Sequence, residues 1–230
     1  MATNIQIVEV PVKKFAIKMV DKRKKSCGCN CINAGFFAGY KENGSNFTLP
    51  VAHLVCDYAA ENKYNLFYCK ERGKFNGNKF RFDTSTFSYM NPFCGKAVST
   101  LLIRNGKASV EDIVRLPECD YAISGVPIMR NGEDCIFKTY VKSQGWDASS
   151  LYATWHSFVG IKDDPNVVYI IGMKTKTYNM IRTAEAFKTF KKMGFREVLK
   201  LDGGGSFYMN VKGKIKSTVE NRRINTVITF

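Results

Sequence analysis

The sequence predicts an α+β fold: one domain with a mixed, mostly antiparallel β-sheet core and a few packed helices. Two observations lead there. Apolar and polar residues alternate through many short runs, which is the period of a half-buried strand. One stretch, "TAEAFKTFKKMG" (183–194), carries a clear helical period with its own start and stop signals.

Each element follows from its residues. "IQIVEVPV" (5–12) and "KFAIKMV" (14–20) alternate as two strands, broken near Pro11 and Lys13. In "KKSCGCNCINAGFF", Cys27, Cys29 and Cys31 stand two apart, so on a strand they share one face as small apolar side chains. Zinc sites favour two residues between paired cysteines with a second pair elsewhere, and no such pair exists, so no metal is expected. Residues 51–70 read as a short strand or helix followed by a strand, and "SVEDIVRL" (109–116) as a helical turn or a strand. "DYAISGVPIMRNGEDCIF" (120–137) reads as strand, tight Ser-Gly turn, strand, "RNGE" hairpin turn and strand.

"NVVYIIGM" (166–173) has the composition of a buried strand. In the helix that follows, Thr183 is placed to cap the start, and Phe187, Phe190 and Met193 fall on one core-facing stripe. Gly194 suits the stop. A right-handed crossover through this helix brings the "LDGGG" segment beside "VVYIIG" if the two strands are parallel. "INTVITF" (224–230) closes the chain as a strand.

The chain's 230 residues carry no linker, low-complexity tract or internal repeat, so residues 1–230 are expected to form a single domain. The first residues show no basic region followed by an apolar core, and no apolar run approaches the roughly 18 residues of a membrane helix. The expectation is a cytoplasmic protein without membrane contact, its eight cysteines reduced, acting inside the cell, released by lysis or carried in a larger assembly such as a virus particle. Thirty-five Lys and Arg against 20 Asp and Glu leave a charge of +15, which calls for an anionic partner or serves solubility. No nucleic-acid motif accompanies the charge, so nucleic acid is not the expected partner, and a phosphorylated ligand fits as well.

"EVLKLDGGGSFYM" (197–209) interrupts a strand-like run with three glycines beside Asp202. Such glycines weaken a strand, because glycine loses the most backbone freedom on folding and has no side chain to pack. They can form a bend whose N–H groups face outward and seat an anion, or simply a loop. Neither G-x-x-x-x-G-K-[ST] nor G-x-G-x-x-G is present.

The segment "LKLDGGGSFYM" resembles the "NLDGGGS" signature of the phosphodiester glycosidase family. Three other blocks follow the family's order: "INAGFF" (32–37), "AISGVPIMRNG" (122–132) and "RRINTVITF" (222–230). The resemblance implies hydrolysis of a sugar 1-phosphodiester, in an anionic glycan or a nucleotide-linked sugar, with no cofactor. Phosphate is already a competent leaving group, so such an enzyme has to hold it, stabilise its charge and support an oxocarbenium-like centre with a carboxylate.

By this resemblance Asp202 is the carboxylate, as nucleophile, base or electrostatic stabiliser; the alternative is a turn acid capping its own backbone. Gly203, Gly204, Gly205 and Ser206 would contact phosphate or sugar hydroxyls, and Asn33 would hydrogen-bond the ligand with Gly35 allowing close approach. Ser124 and Gly125 would line the same cleft, and Arg222 would supply positive charge. Two blocks depart from the family. "WHSFVG" (155–160) puts His156 where an arginine is usual, and "GMKTK" (172–176) lacks the usual acid, with Lys174 nearby. His156 is then a general acid, a substitute anion ligand or a structural residue. These departures keep open a module that binds a phosphorylated sugar or nucleotide without turning it over.

Overall fold

The computed structural model describes residues 2–23, 27–28, 30–42, 45–58, 74–86, 92–135, 139–146, 152–180 and 183–230. Its architecture is mostly β, which corrects the α+β expectation. Among the described residues the α-helices are α1 (Thr139–Ser143) and α2 (Thr183–Lys192). The segment 109–116, open to either reading, lies largely in a strand, because its neighbour offers a full antiparallel ladder from Lys107↔Arg104 to Ile113↔Val98. Val51 to Tyr58 likewise contributes a strand, while residues 59–70 of that prediction lie outside the described residues.

One sheet has six strands in the order β1 (Ala2–Pro11), β15 (Val167–Met180), β14 (Tyr152–Ile161), β16 (Glu197–Lys200), β12 (Val126–Arg130) and β13 (Glu133–Asp134). The other runs β10 (Lys107–Ile113), β9 (Val98–Arg104), β11 (Tyr121–Ser124), β6 (Leu54–Tyr58), β2 (Ala16–Arg23), β19 (Arg223–Thr229), β3 (Cys31–Asn33), β17 (Tyr208–Val211) and β18 (Lys214–Ser217). Strand β8 (Lys79–Phe82) branches from β6 and carries β7 (Lys74–Asn76), and β4 (Phe37–Glu42) pairs with β5 (Ser45–Pro50) as a separate hairpin. Among the described residues the pairing is antiparallel apart from β2 with β6.

The two sheets share one core. Val159 and Ile161 of β14, Val168 and Ile170 of β15, and Leu199 of β16 turn inward to meet Ile17, Ile32, Leu54, Met209 and Ile228 of the second sheet. The intervening residues Phe158, Ile171, Met173 and Val198 turn the other way, onto Phe190 of α2, Phe195 and Trp146. This alternation buries both faces of the six-stranded sheet. The predicted helix ends as expected, with Gly194 at φ +77°. Its crossover differs: β16 lies beside β14, not β15, so β15 and β16 run parallel with one strand between them.

The chain changes sheet at the turn Val12–Lys14, at Gly125 and along Leu201–Phe207. Ser124-Gly125 is therefore a passage between layers and not a tight turn. A Cβ on Gly125 would lie 2.6 Å from the Lys200 carbonyl oxygen and 3.0 Å from Leu199 Cβ. Neither atom can retreat without disturbing β16. Gly125→Ala is expected to lower stability by about 1–3 kcal/mol, the scale of overpacking. A shift of the urea midpoint with an unchanged slope would record it; an unshifted midpoint would show that β16 yields.

Cys31 lies in β3 and is buried, but the strand starts there, so Cys27 and Cys31 do not share one strand face; Cys29 lies outside the described residues.

Candidate functional site

The "LDGGGS" segment is the passage from β16 to β17, and each glycine has a separate cause. A Cβ on Gly203 would stand 2.6 Å from the Trp155 carbonyl oxygen, so this glycine lets the segment lie against β14. Gly204 has φ +57° and opens a 3-10 turn through Ser206. Side chains with a Cβ rarely adopt that φ. A Cβ on Gly205 would strike the Glu220 carboxylate, and Arg222 Nη1 lies 3.2 Å from the same point.

Asn33, at the end of β3, clamps this passage. Its Nδ2 donates to the Asp202 carbonyl at 2.8 Å. Its Oδ1 accepts from Ser157 Oγ at 2.8 Å and from the Tyr208 N–H at 3.0 Å. The backbone completes the clamp, with Asp202 N–H donating to Ala34 O at 3.0 Å and Leu201 N–H to Ser157 O at 2.8 Å. Asn33 is 1% exposed, and its amide holds protein groups on both sides.

Asp202 is partly buried, and its Oδ1 accepts the Gly203 N–H at 2.8 Å. Burial pushes its carboxyl above the usual range, while Ser206, Lys200, the Gly203 N–H and Arg222 all work to bring it down. Arg222 Nη1 also reaches Ser206 Oγ at 3.5 Å. The site thus gathers Asp202, the Glu220 carboxylate and the Arg222 guanidinium around the glycine turn.

His156 comes to the same place from β14. Register pairs Phe158 with Lys200, and Leu201 N–H bonds to Ser157 O, so continuing the ladder sets His156 opposite Asp202. His156 is fully buried, its ring 6.0 Å from that of Phe158.

Gly35 and Ser124 line a neighbouring cleft together with Phe36, Val51 and Trp146. The Gly35 N–H donates to Thr226 Oγ1 at 2.9 Å, and Ser124 Oγ is 2.8 Å from Thr100 Oγ1. Gly125 does not line that cleft; it abuts Lys200. Lys174 stands apart. It pairs in register with Trp155, and its ammonium lies 5.2 Å above the Trp155 ring. Trp155 in turn packs on the inner core, so Lys174 is on the opposite face of the sheet from His156.

Three participants were missed from sequence. Ser157 holds Asn33, Glu220 lies against Gly205 beside Arg222, and Lys200 is 2% exposed directly before the glycine segment. A signal for Lys200 was there: in "EVLKLD" a lysine interrupts an apolar strand immediately before the motif. Among the described residues, no group of three or more His, Cys, Asp or Glu side chains gathers as a metal site.

The sequence model of the phosphodiester glycosidase family matches residues 31–230. The chain belongs to the phosphodiester glycosidase family. The catalytic domain of zebrafish N-acetylglucosamine-1-phosphodiester alpha-N-acetylglucosaminidase, auto-inhibited by its pro-peptide, has a similar fold. That similarity has a TM-score of 0.60 at 15% identity, covering 99% of this chain and 82% of that one. A hypothetical protein from Synechocystis matches with a TM-score of 0.51 at 11% identity, over 98% of this chain and 58% of that one. A protein of Burkholderia pseudomallei K96243, named as a candidate exported protein, matches at 0.51 and 10% identity, over 98% and 73%. At these identities the likeness shows the fold. No curated protein is similar enough to count as a match.

The cytoplasmic expectation is corrected by these findings. A member of the same fold group is named as exported, and the expectation rested on missing signals alone. No helix among the described residues is long and apolar enough to cross a membrane.

Proposed function

We propose that this phosphodiester glycosidase hydrolyses the bond between a sugar C1 and a phosphodiester oxygen, yielding the free sugar and a phosphomonoester. The observation that carries the reading is the gathering of Asp202, Ser206 and Arg222 at the "LDGGGS" passage, where Arg222 Nη1 reaches Ser206 Oγ at 3.5 Å and its charge helps draw the Asp202 carboxyl down. In this reading Asp202 faces the sugar C1 and stabilises, or attacks, the centre of positive charge as the phosphate departs. Arg222 and Ser206 hold the departing phosphate; the guanidinium stays charged at all working pH values. Asn33 acts through the backbone, by keeping Asp202 in place. The net charge of +15 favours an anionic glycan, with a nucleotide-linked sugar as the smaller candidate.

One observation favours a second reading, a module that binds such a ligand without cleaving it. His156 is enclosed in the sheet and Lys174 faces away, so neither of the altered family positions presents an obvious phosphate contact. Incubation with a panel of sugar 1-phosphodiesters, nucleotide sugars and anionic glycans, followed by mass spectrometry, separates the two. Release of sugar and phosphomonoester is the expected result. Tight binding with no product would transfer the conclusion to the binding module, and neither binding nor product would reject both.

A further inference from the structure

Lys200 is the one lysine among the described residues that the fold encloses completely, at 2% exposure. It occupies β16 opposite Phe158, on the same face as His156 and Phe158. Its Nζ donates to the Leu201 carbonyl at 3.2 Å and lies 5.0 Å from the Phe36 ring. An ammonium has three donors, and among the described residues this one makes a single hydrogen bond. The described residues contain no carboxylate in ion-pair contact with it, yet Asp202 is close enough to interact electrostatically. Burial pulls the ammonium down to about 8, so its charge is retained at neutral pH at the expense of stability. A buried cation kept under those terms is weak as a packing device, since an apolar side chain of the same shape fills the space better.

The reason to keep it lies in what the site is asked to hold. Asp202 already suffers from burial, and a bound phosphodiester adds a second negative charge while expelling water. Both effects drive the carboxyl towards protonation, in which state it supports no positive charge on the sugar. The groups that draw the Asp202 carboxyl down are Ser206 and the Gly203 N–H from its own turn, Lys200 from β16 and Arg222 from the segment before β19, while Glu220 lies against Gly205 and His156 faces the passage from β14. Arg222 is exposed and would be engaged by phosphate. Lys200 supplies a positive charge from the protein side.

We propose that Lys200 is a positioning residue that keeps Asp202 ionised from behind, so that the carboxylate survives the arrival of an anionic substrate. The inference rests on the hydrolase reading for its purpose, but its central test does not require turnover. In protein carrying 13C-labelled aspartate, the Asp202 carboxyl is titrated by NMR in wild type, Lys200→Met and Lys200→Arg, with folding checked by circular dichroism. Asp202 is expected to titrate at least one pH unit higher in Lys200→Met and to stay near the wild-type value in Lys200→Arg. A folded Lys200→Met in which Asp202 titrates as in wild type would overturn the proposal. Should the Met variant fail to fold, Lys200→Gln gives the same comparison.

Turnover provides the second readout. The kcat/KM profile of wild type should rise as Asp202 loses its proton. In Lys200→Met the rising limb should move to higher pH; an unmoved limb counts against the proposal. If wild type turns over no substrate, the hydrolase reading fails, and the NMR titration still decides the electrostatic role of Lys200.

Discussion

Asp202→Asn is expected to reduce turnover of a sugar 1-phosphodiester by roughly 10³–10⁴-fold with the fold intact, the scale seen when a group acting on transition-state charge is removed. The substitution keeps the shape of the side chain and removes its charge. Stability should hold or improve. Burial raises the carboxyl in the folded protein, so the native state binds this proton more readily than the unfolded chain. Stability therefore increases as pH falls through the raised value, and the ionised group is a net cost at neutral pH. Activity runs the opposite way and is lost as the carboxylate protonates. Kinetics on the purified variant, alongside its thermal midpoint at pH 7, check both halves. A variant within tenfold of wild type would remove Asp202 from the reaction.

Asn33→Ala is expected to be the most destabilising single change at the site, by about 3–5 kcal/mol. Ala leaves the Ser157 hydroxyl, the Tyr208 N–H and the Asp202 carbonyl without the partners now at 2.8, 3.0 and 2.8 Å. Each buried group stranded in this way costs about 1–3 kcal/mol, and the three share one side chain, so the sum is not additive. Against a typical total of about 5–15 kcal/mol, such a loss approaches unfolding. Asn33→Asp keeps the acceptor for Ser157 and Tyr208 and loses the donor to Asp202, so it should fall between Ala and wild type. Denaturant curves for the two variants measure this directly. A loss under 1 kcal/mol for Ala would mean that water replaces the amide and that Asn33 is not the clamp.

Much of the local structure was legible. Alternation located β1 and β2 with the break after Pro11, "RNGE" placed the turn between β12 and β13 with Asn131 and Gly132 at φ +51° and +76°, and Thr183–Lys192 formed the predicted helix. These depend on residues within a few positions of one another, where steric limits and periodicity act without help from the rest of the chain. The family blocks were legible for the same reason: "LDGGGS" is a contiguous segment whose glycines serve one passage.

Partner choice was not legible. β1 and β2 alternate alike but join different sheets, and β16 lies beside β14 even though a helix joins it to β15. Strand period determines that two faces exist; which face is buried, and against what, depends on strands far away in sequence. That is why Lys174 and His156, both near the family blocks, fall on opposite faces, and why a lysine in "EVLKLD" becomes the enclosed Lys200. Asn33 shows the same dependence most plainly. Its sequence neighbours identify a strand end, but its three hydrogen-bond partners, Ser157, Asp202 and Tyr208, lie more than a hundred residues further along the chain. The sequence by itself determined the strands, the helix and the glycine segment; the tertiary structure decided which side chains meet at Asp202, because burial and register are properties of the assembled sheets.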